Sequence, residues 1–201
     1  MEYCQKGIKV QEEIGNKEGI GNSYHIIGNI YKDQGNYDQA LSYYSKSLKI
    51  QEEIGNKSGM GASYNNIGLI YYNQGNYAKA MEYYDKNLKI REEIGDKKGM
   101  ANSYNNIGGI YEDQGNYEQA LRCYDKCLKI YEETGDNWGM ASVLSGIGNI
   151  YRDQGNYEQA LECYDKCLKI RKELGDKNGL ASSYNSIGII YKEQGNYGQA
   201  L

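Results

Sequence analysis

The apolar residues Tyr64, Ile67, Gly68 and Tyr71 fall at i, i+3, i+4 and i+7, the spacing that lines up one stripe along an α-helix. A second stripe follows at Tyr77, Ala80, Met81, Tyr84, Leu88 and Ile94. Gln74-Gly75-Asn76 separates the two stripes. Gly75 suits the left-handed residue that ends a helix, and Asn76 suits the N-cap that begins the next. Gly95 and Asp96 repeat the same stop and start. The pattern therefore predicts two antiparallel helices of about 18 residues, each roughly 27 Å long at the helical rise. Lys46 and Lys49 run down the second helix beside Glu53, where Lys49 and Glu53 stand at the i, i+4 spacing of an ion pair on a solvated outer face.

The two-helix pattern recurs. Gly68, Gly108, Gly148 and Gly188 coincide in phase, as do Tyr71, Tyr111, Tyr151 and Tyr191, with a period of about forty positions. Such a period replaces domain arithmetic with a stack of small units. Residues 1–15 supply an orphan second helix, because Tyr3, Ile8 and Val10 take the phases of Tyr43, Leu48 and Ile50. Full repeats follow over 16–55, 56–95, 96–135 and 136–175, and 176–201 holds the first helix of a partial repeat. Met1 and Leu201 share the phase of Leu41, which predicts a segment of a longer array with an unpaired helix at each end. A glycine inside a helix costs about 1 kcal/mol against alanine, so Gly68 and its equivalents predict an approach by the neighbouring helix too close for a side chain. Ala40, Ala80, Ala120, Ala160 and Ala200 take the same part on the second helix.

Composition sharpens this picture. Proline and phenylalanine are absent while tyrosine occurs 23 times, so packing falls to rings whose hydroxyls need a partner or water. A net charge of −4 leaves no basic footprint for nucleic acid or anionic lipid. The opening MEYCQKGIKV lacks the apolar run of a signal peptide, and no stretch approaches a membrane span. Five cysteines, all inside helical pattern, fit a reducing compartment better than a disulfide framework. The expectation is a soluble, cytoplasmic chain with neither nucleic-acid nor membrane partners.

The order Tyr64, Ile67-Gly68, Tyr71, Gly75, Tyr77, Ala80, Tyr84, Asn87-Leu88 resembles the signature of tetratricopeptide repeats, and the likeness covers the whole chain. The chain departs from the usual unit in two ways: its period is longer, and Glu12, Glu52, Glu92, Glu132 and Lys172 stand where a proline normally closes the repeat. The second helix is therefore expected to run on by a turn or more. Ile27-Gly28-Asn29 and Ile147-Gly148-Asn149 are similar to the longer repeats of the Leu-Gly-Asn polarity adaptors. Asn65-Asn66-Ile67 and Asn105-Asn106-Ile107 are similar to kinesin light chains, and such units also resemble sensory arrays of bacterial signalling proteins. The resemblance implies an all-α, right-handed superhelical solenoid of antiparallel helix pairs, whose first helices line a concave peptide-holding surface.

On a helical wheel the face of the first helices away from Tyr64, Ile67 and Tyr71 carries a concentration of asparagine. It includes Asn22, His25, Asn29, Asn65, Asn66, Asn102, Asn105, Asn106, Asn149 and Asn185. Asparagine is a mediocre helix former, so helix formation does not explain it there. An amide donates and accepts, which suits it to clamping a peptide backbone without demanding one sequence. These ten residues are the candidate groove; the competing reading is a solvated face copied along with the repeat. Asp33, Asp113, Asp153 and Glu193 add a mild negative bias toward a basic partner segment. The phases of Asn22, His25 and Ile26 hold no Lys or Arg, so a clamp for a terminal carboxylate is not expected.

Other chemistry-bearing residues read as structure. Cys123, Cys127, Cys163 and Cys167 form two Cys-x-x-x-Cys pairs, but four sulfurs within about 2.3 Å of one ion is demanding for helices about 8–10 Å apart. They read as small hydrophobes, with no metal and no cofactor. His25 is the only histidine and builds no triad. Trp138 lies in the first turn of a helix, at the groove's rim or simply exposed. No Walker loop, Gly-x-Ser-x-Gly elbow or His-Glu-x-x-His is present, so no enzyme is expected. The reading is a non-catalytic protein-interaction scaffold that holds a peptide segment. The alternatives are a sensory or regulatory module of a larger signalling protein, and a structural array that self-associates end to end through unpaired terminal helices.

Overall fold

The computed structural model describes residues 2–200, and every element among them is helical. Met1 and Leu201, whose shared phase suggests a longer array, lie outside them. The helices are α1 (Glu2–Glu13), α2 (Lys17–Asp33), α3 (Tyr37–Glu53), α4 (Lys57–Asn73), α5 (Tyr77–Glu93), α6 (Lys97–Asp113), α7 (Tyr117–Thr134), α8 (Asn137–Asp153), α9 (Tyr157–Leu174), α10 (Lys177–Glu193) and α11 (Tyr197–Ala200). The chain clusters into two compact units, Met1–Ser103 and Tyr104–Leu201, divided within α6.

The breaks work as their residues suggest. Gly75 has φ +72°, and the amide of Asn76 returns to the Tyr71 carbonyl at 2.8 Å, satisfying a carbonyl that the helix end leaves open. Asn56, Asp96, Asp136 and Asp176 accept at 2.9–3.1 Å from the amides of Gly59, Gly99, Gly139 and Gly179, capping α4, α6, α8 and α10. Before the second helices the cap is less regular: Asn76 accepts from the Lys79 amide at 3.2 Å, whereas Asn36, Asn116 and Asn156 make no side-chain cap. The second helices reach 17 or 18 residues, as the missing proline allows.

One tyrosine per period builds the core. Tyr44, Tyr84, Tyr124 and Tyr164 are buried, and their rings lie on Gly28, Gly68, Gly108 and Gly148 of the preceding helix. A Cβ added at any of these glycines would stand 2.6–2.8 Å from ring carbons. The glycines therefore make room for a ring, which corrects the expectation of a bare close approach between helices. From α3, Tyr44 also packs with Ala40 against Ile67 and Ile70 of α4, so it joins its own pair to the next. Tyr164 repeats the arrangement with Ala160 and Ile190. Fully burying a side chain of this size stabilises by about 1.5–3 kcal/mol.

Within Met1–Ser103 a second aromatic layer forms, with Tyr31 stacked on Tyr43 at 5.5 Å and Tyr71 on Tyr83 at 5.6 Å, and Lys46 and Lys86 over the rings. In Tyr104–Leu201 the corresponding positions are Cys123 and Cys163. The expected Lys49–Glu53 pair does not form. Glu53 instead reaches Lys17 at 3.0 Å, and Glu93 reaches Lys57 at 2.9 Å, tying the end of each second helix to the start of its first. A lysine across the antiparallel pair lies nearer the carboxylate than the one a turn back, and these exposed bridges contribute little stability.

Candidate functional site

The ten candidate residues occupy the first helices of the pairs, and none of them is buried. In the first unit they come together. The Tyr44 hydroxyl donates to Asn29 Oδ1 at 2.7 Å, and Asn66 Nδ2 on α4 donates to the same oxygen at 3.2 Å. Asn66 Nδ2 also lies 3.1 Å from His25 Nε2, which acts as acceptor because an amide nitrogen only donates. The His25 ring packs on Tyr44 with centroids 5.3 Å apart, and burial together with Lys32 holds its pKa below the ordinary value, keeping the imidazole neutral. Asn22 accepts weakly from Gln51 Nε2 at 3.4 Å. Asn102 is exposed and Asn65 half-exposed, and Ile26 is an exposed apolar side chain on α2.

In the second unit the face is more acidic, with Asp113, Asp153 and Glu193 on its first helices. Asn149 Oδ1 accepts from the Tyr164 hydroxyl at 2.6 Å. Asn105 and Asn106 are half-exposed on α6, and Asn185 is exposed on α10. Where Asn29 and Asn149 stand in other periods, Gly109 stands here, and the Tyr124 hydroxyl turns to Glu112 at 2.6 Å. Burial raises the Glu112 pKa above the usual carboxylate range; the tyrosine hydrogen bond opposes that shift, and Asp113 and Asp153 reinforce it. Arg152 pairs with Asp153 at 2.8 Å. Tyr184, Asn185, Gly188, Ile189, Lys192 and Tyr197 line an open depression of about 640 Å³ beside α10 and α11.

Two of the asparagines thus have a local duty that the composition hinted at without locating: they accept from the hydroxyls of buried tyrosines. The signal that could have found them is the pairing of each core tyrosine with the residue after its glycine, Gly28-Asn29 and Gly148-Asn149. The cysteines pack as small hydrophobes: Cys167 lies 3.2 Å from the Ala141 carbonyl and 3.2 Å from Ser145 Oγ. Burial pushes the Cys127 thiol up to about 12. Among the described residues no group of three His, Cys, Asp or Glu side chains is placed to hold a metal ion. Among the described residues no helix is long and apolar enough to cross a membrane. Trp138 is exposed in the first turn of α8.

Helix pairs joined by left-handed glycines, each sealed by a tyrosine on a glycine, define a helical repeat protein. A family model described as tetratricopeptide repeat matches residues 59–133 and 139–201, and a second tetratricopeptide repeat model matches residues 21–53. The chain belongs to the tetratricopeptide repeat family. No curated protein matches it in sequence. Among solved structures, BtubC (BKLC) from P. vanneervenii is similar at TM-score 0.86 and 20% identity, over 98% of this chain and 84% of that one. A signal transduction ATPase with a tetratricopeptide repeat sensor from Pyrococcus horikoshii is similar at TM-score 0.80 and 21% identity, over 94% of this chain and 30% of that one. A kinesin light chain from Podosopora anserina, named for its nearly identical TPR-like repeats, is similar at TM-score 0.72 and 16% identity, over 89% of each chain. At these identities the likeness shows the fold alone.

Proposed function

We propose that the chain is a non-catalytic, cytoplasmic scaffold, divided into repeats at 16–55, 56–95, 96–135 and 136–175, that holds a peptide segment along the amide-bearing face of its first helices. The observation that carries this reading is the row of half-exposed and exposed amides, kept on helices that would be more stable with alanine at those positions. Asp113, Asp153 and Glu193 give the face of the second unit a negative bias, which favours a basic segment. The test selects peptides from a random display library on the full chain and then measures their affinity for an Asn105→Ala/Asn106→Ala variant whose helicity is unchanged. At least about tenfold weaker binding is expected. Unchanged affinity, or a library that yields no binder, rejects the reading.

A sensory role in a larger protein is the second reading, favoured by likeness to an ATPase that carries a tetratricopeptide repeat sensor and that this chain spans only to 30%. End-to-end self-association has less support. In α1 the residue at the phase of the core tyrosines is Cys4, so a second copy's α1 laid beside α10 would bring no ring to Gly188.

A further inference from the structure

The polar groups on the face of the first unit form one continuous chain of hydrogen bonds with a fixed direction. The Tyr44 hydroxyl and Asn66 Nδ2 both donate to Asn29 Oδ1, at 2.7 and 3.2 Å, and the second Asn66 hydrogen goes to His25 Nε2 at 3.1 Å. An imidazole that accepts at Nε2 carries its single proton on Nδ1. Both hydrogens of the Asn66 amide are then committed. The atoms left for a guest are Asn66 Oδ1, an acceptor, and Asn29 Nδ2, a donor. Turning Asn66 alone would bring its oxygen against Asn29 Oδ1, so the neutral ring and the two amides hold one another in this setting.

A proton on Nε2 removes the acceptor at the end of this chain, and two donors would face each other across 3.1 Å. Turning the Asn66 amide relieves the conflict, because Oδ1 then accepts a charge-assisted bond from the imidazolium. That oxygen next faces Asn29 Oδ1. Turning Asn29 as well lets its Nδ2 donate to Asn66, and the Tyr44 hydroxyl changes from donor to acceptor. The groups offered outward exchange, with Asn66 presenting the donor and Asn29 the acceptor. The surroundings set a cost on the acid form. The fully buried Tyr44 loses the acceptor for its own proton and packs its ring 5.3 Å from the imidazole. Burial and, from α2, the Lys32 charge hold the His25 pKa below its ordinary value, while α3 brings Tyr44 to the ring, α4 brings the Asn66 amide, and Asp33 acts on the Tyr44 hydroxyl. Around Tyr164 the same places hold Ser145 and Ser186, and the hydroxyl donates to Asn149 Oδ1 at 2.6 Å with no imidazole to reverse it.

We propose that His25 is a proton-operated selector for this face: neutral, it holds Asn29 as donor and Asn66 as acceptor toward a bound segment, and protonated, it reverses both amides. The use of the reversal, though not the reversal itself, rests on the reading of this face as a peptide-holding surface. The test follows the full chain by NMR from about pH 8 to about pH 4.5, observing the His25 ring nitrogens and the side-chain amides of Asn29, Asn66 and Asn149. At the alkaline end the ring is expected in the Nδ1–H form, the minor tautomer of free histidine. As the pH falls, the Asn66 and Asn29 amides are expected to shift with the midpoint of the ring while Asn149 stays still. In His25→Asn, which installs the residue found at the same phase as Asn65 and Asn105, those shifts are expected to vanish. The reversal is overturned if the neutral ring is in the Nε2–H form, if it protonates without moving either amide, if it stays uncharged until the chain unfolds, or if the amides shift equally in His25→Asn. Its use is read with a display-selected peptide whose affinity drops on Asn66→Ala. Several-fold weaker binding at about pH 5 than at about pH 7.5 is expected in the parent and not in His25→Asn. The same pH dependence in both chains, or none in either, overturns the selector role. A library that yields no binder rejects the peptide reading, while the titration of the free chain still decides the reversal.

Discussion

A glycine in a helix is either a loss or a necessity, and two of them here make the same substitution act with opposite sign. At Gly148 a Cβ would stand 2.8 Å from the Tyr164 ring, and the ring is held by Ala160 and Ile190 with no room to retreat. At Gly7, in α1, nothing lies within 4 Å of the added atom. Gly148→Ala is expected to destabilise by about 1–3 kcal/mol through overpacking, even after the helix-propensity gain. Gly7→Ala is expected to stabilise by up to about 1 kcal/mol. Urea titration of both variants checks the pair; a stabilised Gly148→Ala would show that the ring is not tightly seated. The recurrence of these glycines was legible from the chain, but their reason was not. Phase shows that Gly148 and Tyr164 each recur, whereas the register between two antiparallel helices decides that one lies on the other. The same register sends Glu53 to Lys17 rather than to Lys49, a choice that no spacing along one helix reveals.

At the scale of the element, α7 and α9 differ from α3 and α5 in carrying cysteine where tyrosine, serine or asparagine stands in earlier periods. The i, i+4 spacing correctly placed both sulfurs of a pair on one side of the helix, and the small-residue phase of Ser47 correctly marked Cys127 and Cys167 as interior. Spacing also supplies Cys127 beside Tyr131, one turn on in α7, but not Cys167 against the Ala141 carbonyl, which the adjoining helix α8 sets. Because the thiolate is the reactive form, a thiol pushed up to about 12 by burial is doubly protected, by access and by charge. Alkylation of the native chain at neutral pH is expected to modify Cys4 and Cys123, both half-exposed, before Cys127, Cys163 and Cys167. Cys127 should lag Cys4 by at least about tenfold until denaturant is added. Peptide mass spectrometry resolves the order, and early modification of Cys127 would mean that α7 opens readily from its neighbours.

At the scale of the whole molecule, the helices pack chiefly on chain neighbours, α2 with α3, α3 with α4, α4 with α5, then α7 with α8, α8 with α9 and α9 with α10, with α2 also touching α4, and each unit is compact in itself. Energetics built from neighbour contacts are close to one-dimensional: damage spreads to the adjoining pair and fades beyond it. Ile27, on α2, has no exposed surface, so Ile27→Ala is expected to remove about 2–5 kcal/mol from its surroundings. In a globule with one core that loss would accelerate hydrogen exchange everywhere that global opening governs it. In this chain it is expected to raise exchange across α2, α3 and α4 while the amides of α8 and α9 keep their protection, because Ile27 and those three helices belong to Met1–Ser103 and α8 and α9 to Tyr104–Leu201. Equal acceleration in both units would show instead that the array unfolds as one cooperative block, with a coupling through α6 strong enough to override the local contacts.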